Sequence, residues 1–209
     1  MDLEETTYWI QLARGGDVTA FTNIVDGCQR PVFHLCFRML GNSEEAEDAT
    51  QETFMRAYRS LHQYDDKRSF MTWLLSIASH YCIDQLRREK KDNMYVTNTA
   101  RVDEADEWEI PDTTPGPESV LRTKEDQMLV RSLLEKLEPI DRAVIVLMYW
   151  NDYSYEQIAE VLSLTVSAVK SRLHRARRGL AKAWMALHQE VASKTILKPE
   201  RKHYELPVF

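Results

Sequence analysis

Glycine and proline are scarce, at 6 and 7 of 209 residues. A chain with so few turn formers and helix breakers reads first as all-helical. Cysteine is scarcer still. The three thiols, Cys28, Cys36 and Cys82, are odd in number and lack CxxC spacing, which argues against a disulfide framework or a zinc knuckle and for buried free thiols. Long hydrophobic runs are missing as well: the longest, AVIVLMYW at 143–150, is far short of the roughly 20 residues a membrane span requires. With an acidic rather than basic opening, MDLEE, this leads to the expectation of a reduced, cytoplasmic setting without membrane insertion. No Gly-rich phosphate loop, no cluster of metal ligands and no spaced nucleophile and base is present, so no enzyme, cofactor or metal is expected. His34 and Cys36, close in sequence, are assigned to the core.

What is present suits a soluble helical protein, with 44% hydrophobic and 29% charged residues. The length allows one large domain or two small ones. Helices are expected over 3–14 and 17–40, separated by Gly15-Gly16, with Asp17 as a cap. Phe21, Ile24, Val25, Val32, Leu35, Cys36 and Met39 recur within the second at helical spacing, and Pro31 predicts a kink or break. Gly41 ends that helix, Asn42 or Ser43 starts the next, and acids crowd the first turns of EEAEDATQETFMRAYRSL. After HQYDDKR, Ser69 is placed to cap a long helix whose Phe70, Trp73, Leu74, Ile77 and Tyr81 form an apolar stripe.

From 93 to 122 the period fails. The segment has three prolines and seven acids (Asp103, Glu104, Asp106, Glu107, Glu109, Asp112, Glu118) against Arg101 and Arg122, and reads as an acidic linker. Periodicity returns in segments near 124–137, 139–150, 155–162 and 166–190, followed by a tail from Ala192 that shows none.

Within that second periodic block, SYEQIAEVL opens with Ser154 and Gln157 in capping-box spacing and directs Ile158, Ala159 and Leu162 inward. Thr165 is a good N-cap for the next helix, so the pattern is a short helix, a tight turn and a longer basic helix. The chain carries a net charge of -6, yet SLTVSAVKSRLHRARRGL at 163–180 contains no acid. At 100° per residue, Val166, Val169, Leu173, Leu180 and Trp184 fall on a core side with Ala176 at its edge. The other side carries Ser167, Ser171, His174, Arg175 and Arg178, flanked by Lys170 and Arg172. Arg177 lies toward the apolar side and is assigned to packing or a salt bridge. A basic helix face is ordinarily a solvated surface. The preceding helix, the tight turn and the absence of acids favour a helix that enters a DNA major groove.

The order RMLGNSEEAEDATQETFMRAY, SFMTWLLSIASHYCIDQLRR, LEKLEPIDRAVIVLMYWNDYSYEQIAEVL and TVSAVKSRLHRARRGL, spread around an acidic linker, resembles the extracytoplasmic-function sigma factors of bacterial RNA polymerase up to about residue 190. The resemblance implies two small helical domains, 1–92 and 123–191, joined by a flexible linker over 93–122 and followed by a tail at 192–209. It implies promoter-specific initiation with core polymerase, through the largest subunit's clamp helices and the flap, and commonly restraint by an anti-sigma factor.

By the same resemblance, Lys170, Ser171, His174 and Arg175 contact minus-35 bases, and Arg172 and Arg178 contact phosphates. Asp48, Gln51, Glu52 and Phe54 bind polymerase. The minus-10 element is opened and captured as single strand by the segment from Gln63 to Arg68, including Lys67 and Arg68, and by His80, Gln85, Arg88 and Lys91. Such capture uses stacking rings and a positive track, but the stripe position of Phe70 and Trp73 favours packing. The linker is either a strand threading the polymerase channels or a plain spacer. Two departures stand out: His80 where many members have Asn, and Ser163 where the turn usually has Gly, which strains a left-handed backbone. The alternative is an autonomous helix-turn-helix regulator. The apolar tail residues Tyr204, Leu206, Val208 and Phe209 are candidates to dock on a domain.

Overall fold

The structure, a computed structural model, describes residues 3–95 and 127–196, all helices and short connections. In the first half, α1 (Leu3–Arg14) leads through Gly15-Gly16 to α2 (Val18–Leu40), where the Asp17 carboxylate accepts from the Ala20 N–H as expected of a cap. Pro31 does not break α2, which runs unbroken to Leu40. One lost backbone hydrogen bond is outweighed by burial on both sides of it, at Ile24, Cys28, Val32 and Leu35.

Gly41 ends α2 in the left-handed region, at φ 81, and its N–H returns to the Phe37 carbonyl. A side chain there would meet Arg131 Nε at 2.9 Å, so close packing adds to the backbone's reason for glycine. Asn42 caps α3 (Ser43–Ser60) through Glu45 N–H, and a 3-10 turn (Leu61–Gln63) follows. The long helix α4 (Phe70–Tyr95) starts beside the Ser69 hydroxyl, 3.5 Å from Thr72 N. It runs three residues into the span expected as linker; the rest of that span, 96–122, lies outside the described residues. Its most deeply buried face is Leu74, Leu75, Ala78 and Cys82, while Trp73, Ile77 and Tyr81 of the expected stripe border the core.

The second half comprises α5 (127–135), α6 (Pro139–Tyr149), α7 (Tyr155–Val161) and α8 (Val166–Ile196). Val144, Ile145, Val146 and Leu147 of α6 are all buried against α7 and α8, which explains why this run is apolar on every side. Helix α8 extends past the expected boundary at 191 into the segment read as tail; residues 197–209, with the docking candidates Tyr204, Leu206, Val208 and Phe209, lie outside the described residues.

The two halves pack together, α2 and α4 against α6 and α4 against α7. Side-chain contacts across the seam include the Arg68–Glu160 ion pair at 3.6 Å and four others. The buried Arg142 donates to the Met39 carbonyl. Arg38 lies over the Trp150 ring at 4.5 Å. The Tyr153 hydroxyl faces the Thr72 side chain. Lys90 Nζ meets Glu138 at 2.6 Å. None of these was legible as a pair, because each joins residues far apart in sequence.

Candidate nucleic-acid interface

Local capping builds the helix-turn-helix. Ser154 Oγ accepts from Gln157 N–H while the Gln157 side chain accepts from Ser154 N–H, a complete capping box. Ile158, Ala159 and Leu162 are buried, and the chain turns at Ser163 with φ 54. The strain anticipated for Ser163 is therefore present: a residue with a side chain occupies the left-handed region that glycine enters freely. Leu164 N–H closes the turn on the Ala159 carbonyl at 2.8 Å, and Thr165 Oγ1 accepts from Ala168 N–H at 3.1 Å to start α8.

Helix α8 is then pinned by Val169, Leu173 and Ala176, all buried, with Val166 and Leu180 against the same core. Trp184, expected on this core side, is 43% exposed, because past Leu180 the described side chains of α8 leave the packed body. Arg177 serves packing as expected: its Nε and Nη2 donate to the Tyr149 hydroxyl at 3.0 and 2.7 Å.

The opposite face presents Ser167, Lys170, Ser171, His174, Arg175 and Arg178 to solvent. Lys170 Nζ sits 5.5 Å from the Tyr155 ring, which orients it along the start of the helix. Arg172 is less free. Its Nη1 donates to Asp141 Oδ1 at 2.9 Å, and Arg175 Nη1 is 3.8 Å from Asp141 Oδ2. Donors and cations on a face to which residues 163–180 contribute no acid suit phosphates and base edges in a groove wide enough for a helix.

In the first half, Lys67 and Arg68 are exposed before α4, and His80, Arg88 and Lys91 are exposed along it. His80 Nδ1 is held 2.7 Å from the Ser76 carbonyl, leaving the far edge of its ring outward. Gln85 is half-buried and donates to the Tyr81 hydroxyl. Arg68 is 3.6 Å from Glu160 of α7, so its charge is partly matched by a carboxylate of the helix-turn-helix. Tyr64, Phe70 and Trp73 form one aromatic cluster with centroids 5.1–5.5 Å apart, and Phe70 is buried, consistent with packing.

Residues 24–92 match the family model Sigma-70 region 2, and residues 127–180 match Sigma-70, region 4. The chain is 37% identical over 174 residues to the ECF RNA polymerase sigma factor SigW of Bacillus subtilis, covering 83% of this chain and 93% of that protein. The chain belongs to the extracytoplasmic-function sigma factors. Such a factor directs promoter-specific transcription initiation, and the two matched regions fall on the two packed halves. The RNA polymerase sigma-H factor of Pseudomonas aeruginosa is 30% identical and covers 90% of this chain and 97% of its own length. Among solved structures, CnrH in complex with the cytosolic domain of CnrY is similar at TM-score 0.60 and 25% identity, covering 88% of this chain and 99% of that one.

Within this sigma factor, the residues assigned to polymerase divide by position. Asp48 and Gln51 are exposed on α3, and Glu52, half-buried, pairs with Arg56 at 2.7 Å. Phe54 is only 7% exposed and belongs to the core, so its assignment to a binding surface is corrected. The apolar side chains α3 does offer are Met55 and Tyr58, both exposed. Helical spacing alone does not separate them, since 51, 54, 55 and 58 follow the i, i+3, i+4, i+7 pattern of one face; the burial of Phe54 against the other helices of this half does. His34, assigned to the core, is also corrected: it sits half-buried at the rim, 3.4 Å from Arg30 Nε. Cys28, Cys36 and Cys82 are buried free thiols, as expected. Among the described residues no helix is long and apolar enough to cross a membrane, and no group of three or more His, Cys, Asp or Glu could hold a metal ion.

Proposed function

We propose that this sigma factor binds core RNA polymerase in the cytoplasm and works through two faces, without covalent chemistry of its own. Residues 123–191 read the minus-35 duplex with Lys170, Ser171, His174 and Arg175, supported on phosphates by Arg178. Residues 1–92 capture the minus-10 strand along Lys67, Arg68, His80, Gln85, Arg88 and Lys91, and grip the clamp helices of the largest subunit with Asp48, Gln51 and Glu52. An anti-sigma factor is the expected restraint; of similar fold, CnrH was solved in complex with the cytosolic domain of CnrY, and the Bartonella quintana sigma factor RpoE in complex with the anti-sigma factor NepR.

The observation that carries this reading is the acid-free, exposed basic face of α8, set by a capped helix-turn-helix in the part that matches region 4. The test is promoter selection from a randomised library by core polymerase carrying each variant. His174→Ala or Arg175→Ala shifts the selected minus-35 bases and leaves minus-10 alone. His80→Asn shifts minus-10 bases and leaves minus-35 alone. If His80→Asn selects the same minus-10 sequence as the parent, that histidine is outside the reading surface.

A further inference from the structure

Asp141 is the third residue of α6 and its side chain is only 3% exposed. A carboxylate so enclosed requires charge-assisted partners, and the start of a helix supplies part of that need. The remainder comes from α8. Arg172 Nη1 donates to one oxygen at 2.9 Å, and Arg175 Nη1 approaches the other at 3.8 Å. Two guanidinium groups three residues apart on the recognition helix thus converge on one acid that lies beneath them. Arg175 nevertheless keeps 64% of its side chain exposed, so the acid restrains it without covering it.

We infer that Asp141 is a positioning residue for minus-35 recognition, aiming Arg175 at base edges and holding Arg172 as a strut rather than a phosphate ligand. This rests on the function proposed above. The acid never touches DNA; it acts by restricting two flexible side chains before the encounter. An arginine has many rotamers to lose on binding, and ordering it in advance removes part of what binding would otherwise cost. Asp141 also cancels positive charge directly beneath the groove-facing surface, which weakens attraction to any duplex regardless of sequence. One residue therefore acts in opposite directions on two quantities: it raises discrimination and lowers nonspecific affinity.

The opposed signs separate this role from a merely structural one, since loosening the domain would lower both. The experiment uses full-length chain with core polymerase and a library randomised at minus-35, with melting temperatures measured in parallel. Duplex binding by the free chain to a promoter-less fragment, titrated with NaCl, supplies the second readout. Asp141→Asn is expected to relax minus-35 discrimination about tenfold, at the same base positions that Arg175→Ala relaxes. Arg175→Ala added to Asp141→Asn is expected to relax it little further. Binding to the promoter-less duplex is expected to tighten, with a salt slope steeper by about one as Arg172 becomes free for phosphate. Asp141→Glu, which keeps the charge, is expected to retain most of the parent's discrimination, and relaxation as large as that of Asp141→Asn would contradict the inference. If Asp141→Asn selects the parent's minus-35 sequence with unchanged salt slope, Asp141 is structural and the inference is wrong. Should Asp141→Asn not fold, Arg172→Ala is expected to leave the salt slope of duplex binding unchanged, and a slope shallower by about one would make Arg172 a phosphate ligand and overturn the inference. If Asp141→Asn weakens specific and nonspecific binding together, it is equally wrong. If the parent itself selects no minus-35 sequence, the functional reading falls and the role of Asp141 with it.

Discussion

Arg142 on α6 donates from Nη1 to the main-chain carbonyl of Met39 in the last turn of α2, so a guanidinium of one half caps a helix of the other. The last carbonyls of a helix have no partner within it and carry the negative end of its dipole. A buried cation is therefore well placed there, although burial lowers its pKa and Nε has no protein partner. Arg142→Ala leaves the Met39 carbonyl unpaired in the seam. Its expected cost is about 1–3 kcal/mol in urea unfolding. Lys90→Ala, at the exposed end of the same seam, should cost under about 1 kcal/mol. Equal losses for the two would show that Arg142 does not hold the halves together.

Ser163, at φ 54, is the strained turn residue of the helix-turn-helix. Relief of left-handed strain is worth roughly 1–2 kcal/mol, and glycine's greater freedom when unfolded takes back some of it. Ser163→Gly is expected to raise stability by about 1 kcal/mol net. Asp152, at φ 52, should gain less from the same change, because aspartate tolerates this region better. A destabilised Ser163→Gly protein would mean the Ser163 side chain contributes more than its strain costs.

His34 has its pKa lowered below the ordinary 6.5 by burial first, then by Arg30 and Arg38. Between that depressed value and 6.5 the unfolded chain binds more protons, so stability falls as pH drops through this window. His34→Gln is expected to flatten stability below pH 6.5 while changing little above it. An unchanged slope in the variant would assign the acid sensitivity to other groups.

The three thiols give a further check. Burial pushes Cys28 up to about 11, and Cys82 is raised by its contact with Cys36 and by burial. A thiol-specific reagent at neutral pH is expected to label none of them in the folded chain and all three on unfolding. Rapid labelling of Cys36 or Cys82 in native protein would show that the α2 and α4 contact opens.

Much of the architecture was legible because it is written in local signals. Asp17, Gly41, Asn42, Ser154 and Thr165 announce helix ends through groups within a few residues of each other, and all five act where expected. Pro31 misled because its penalty is local while the burial that overrides it comes from helices elsewhere. Phe54 and Trp184 misled in opposite ways. One is an aromatic on an acidic helix that turns inward; the other continues an apolar spacing past the point where α8 leaves its packed neighbours. On the candidate site, the exposed basic face followed from helical geometry. Asp141 did not, since nothing in the sequence says that an acid at the start of α6 lies beneath Arg172 and Arg175.

The most direct measurement is transcription in vitro from a genomic promoter library by core RNA polymerase with and without this chain. The account predicts transcripts that start downstream of one shared two-part sequence, appear only when both proteins are present, and shift in minus-35 preference with Arg175→Ala. No promoter-dependent transcript, together with tight sequence-specific duplex binding by the chain alone, would contradict it and point to a regulator that acts without polymerase.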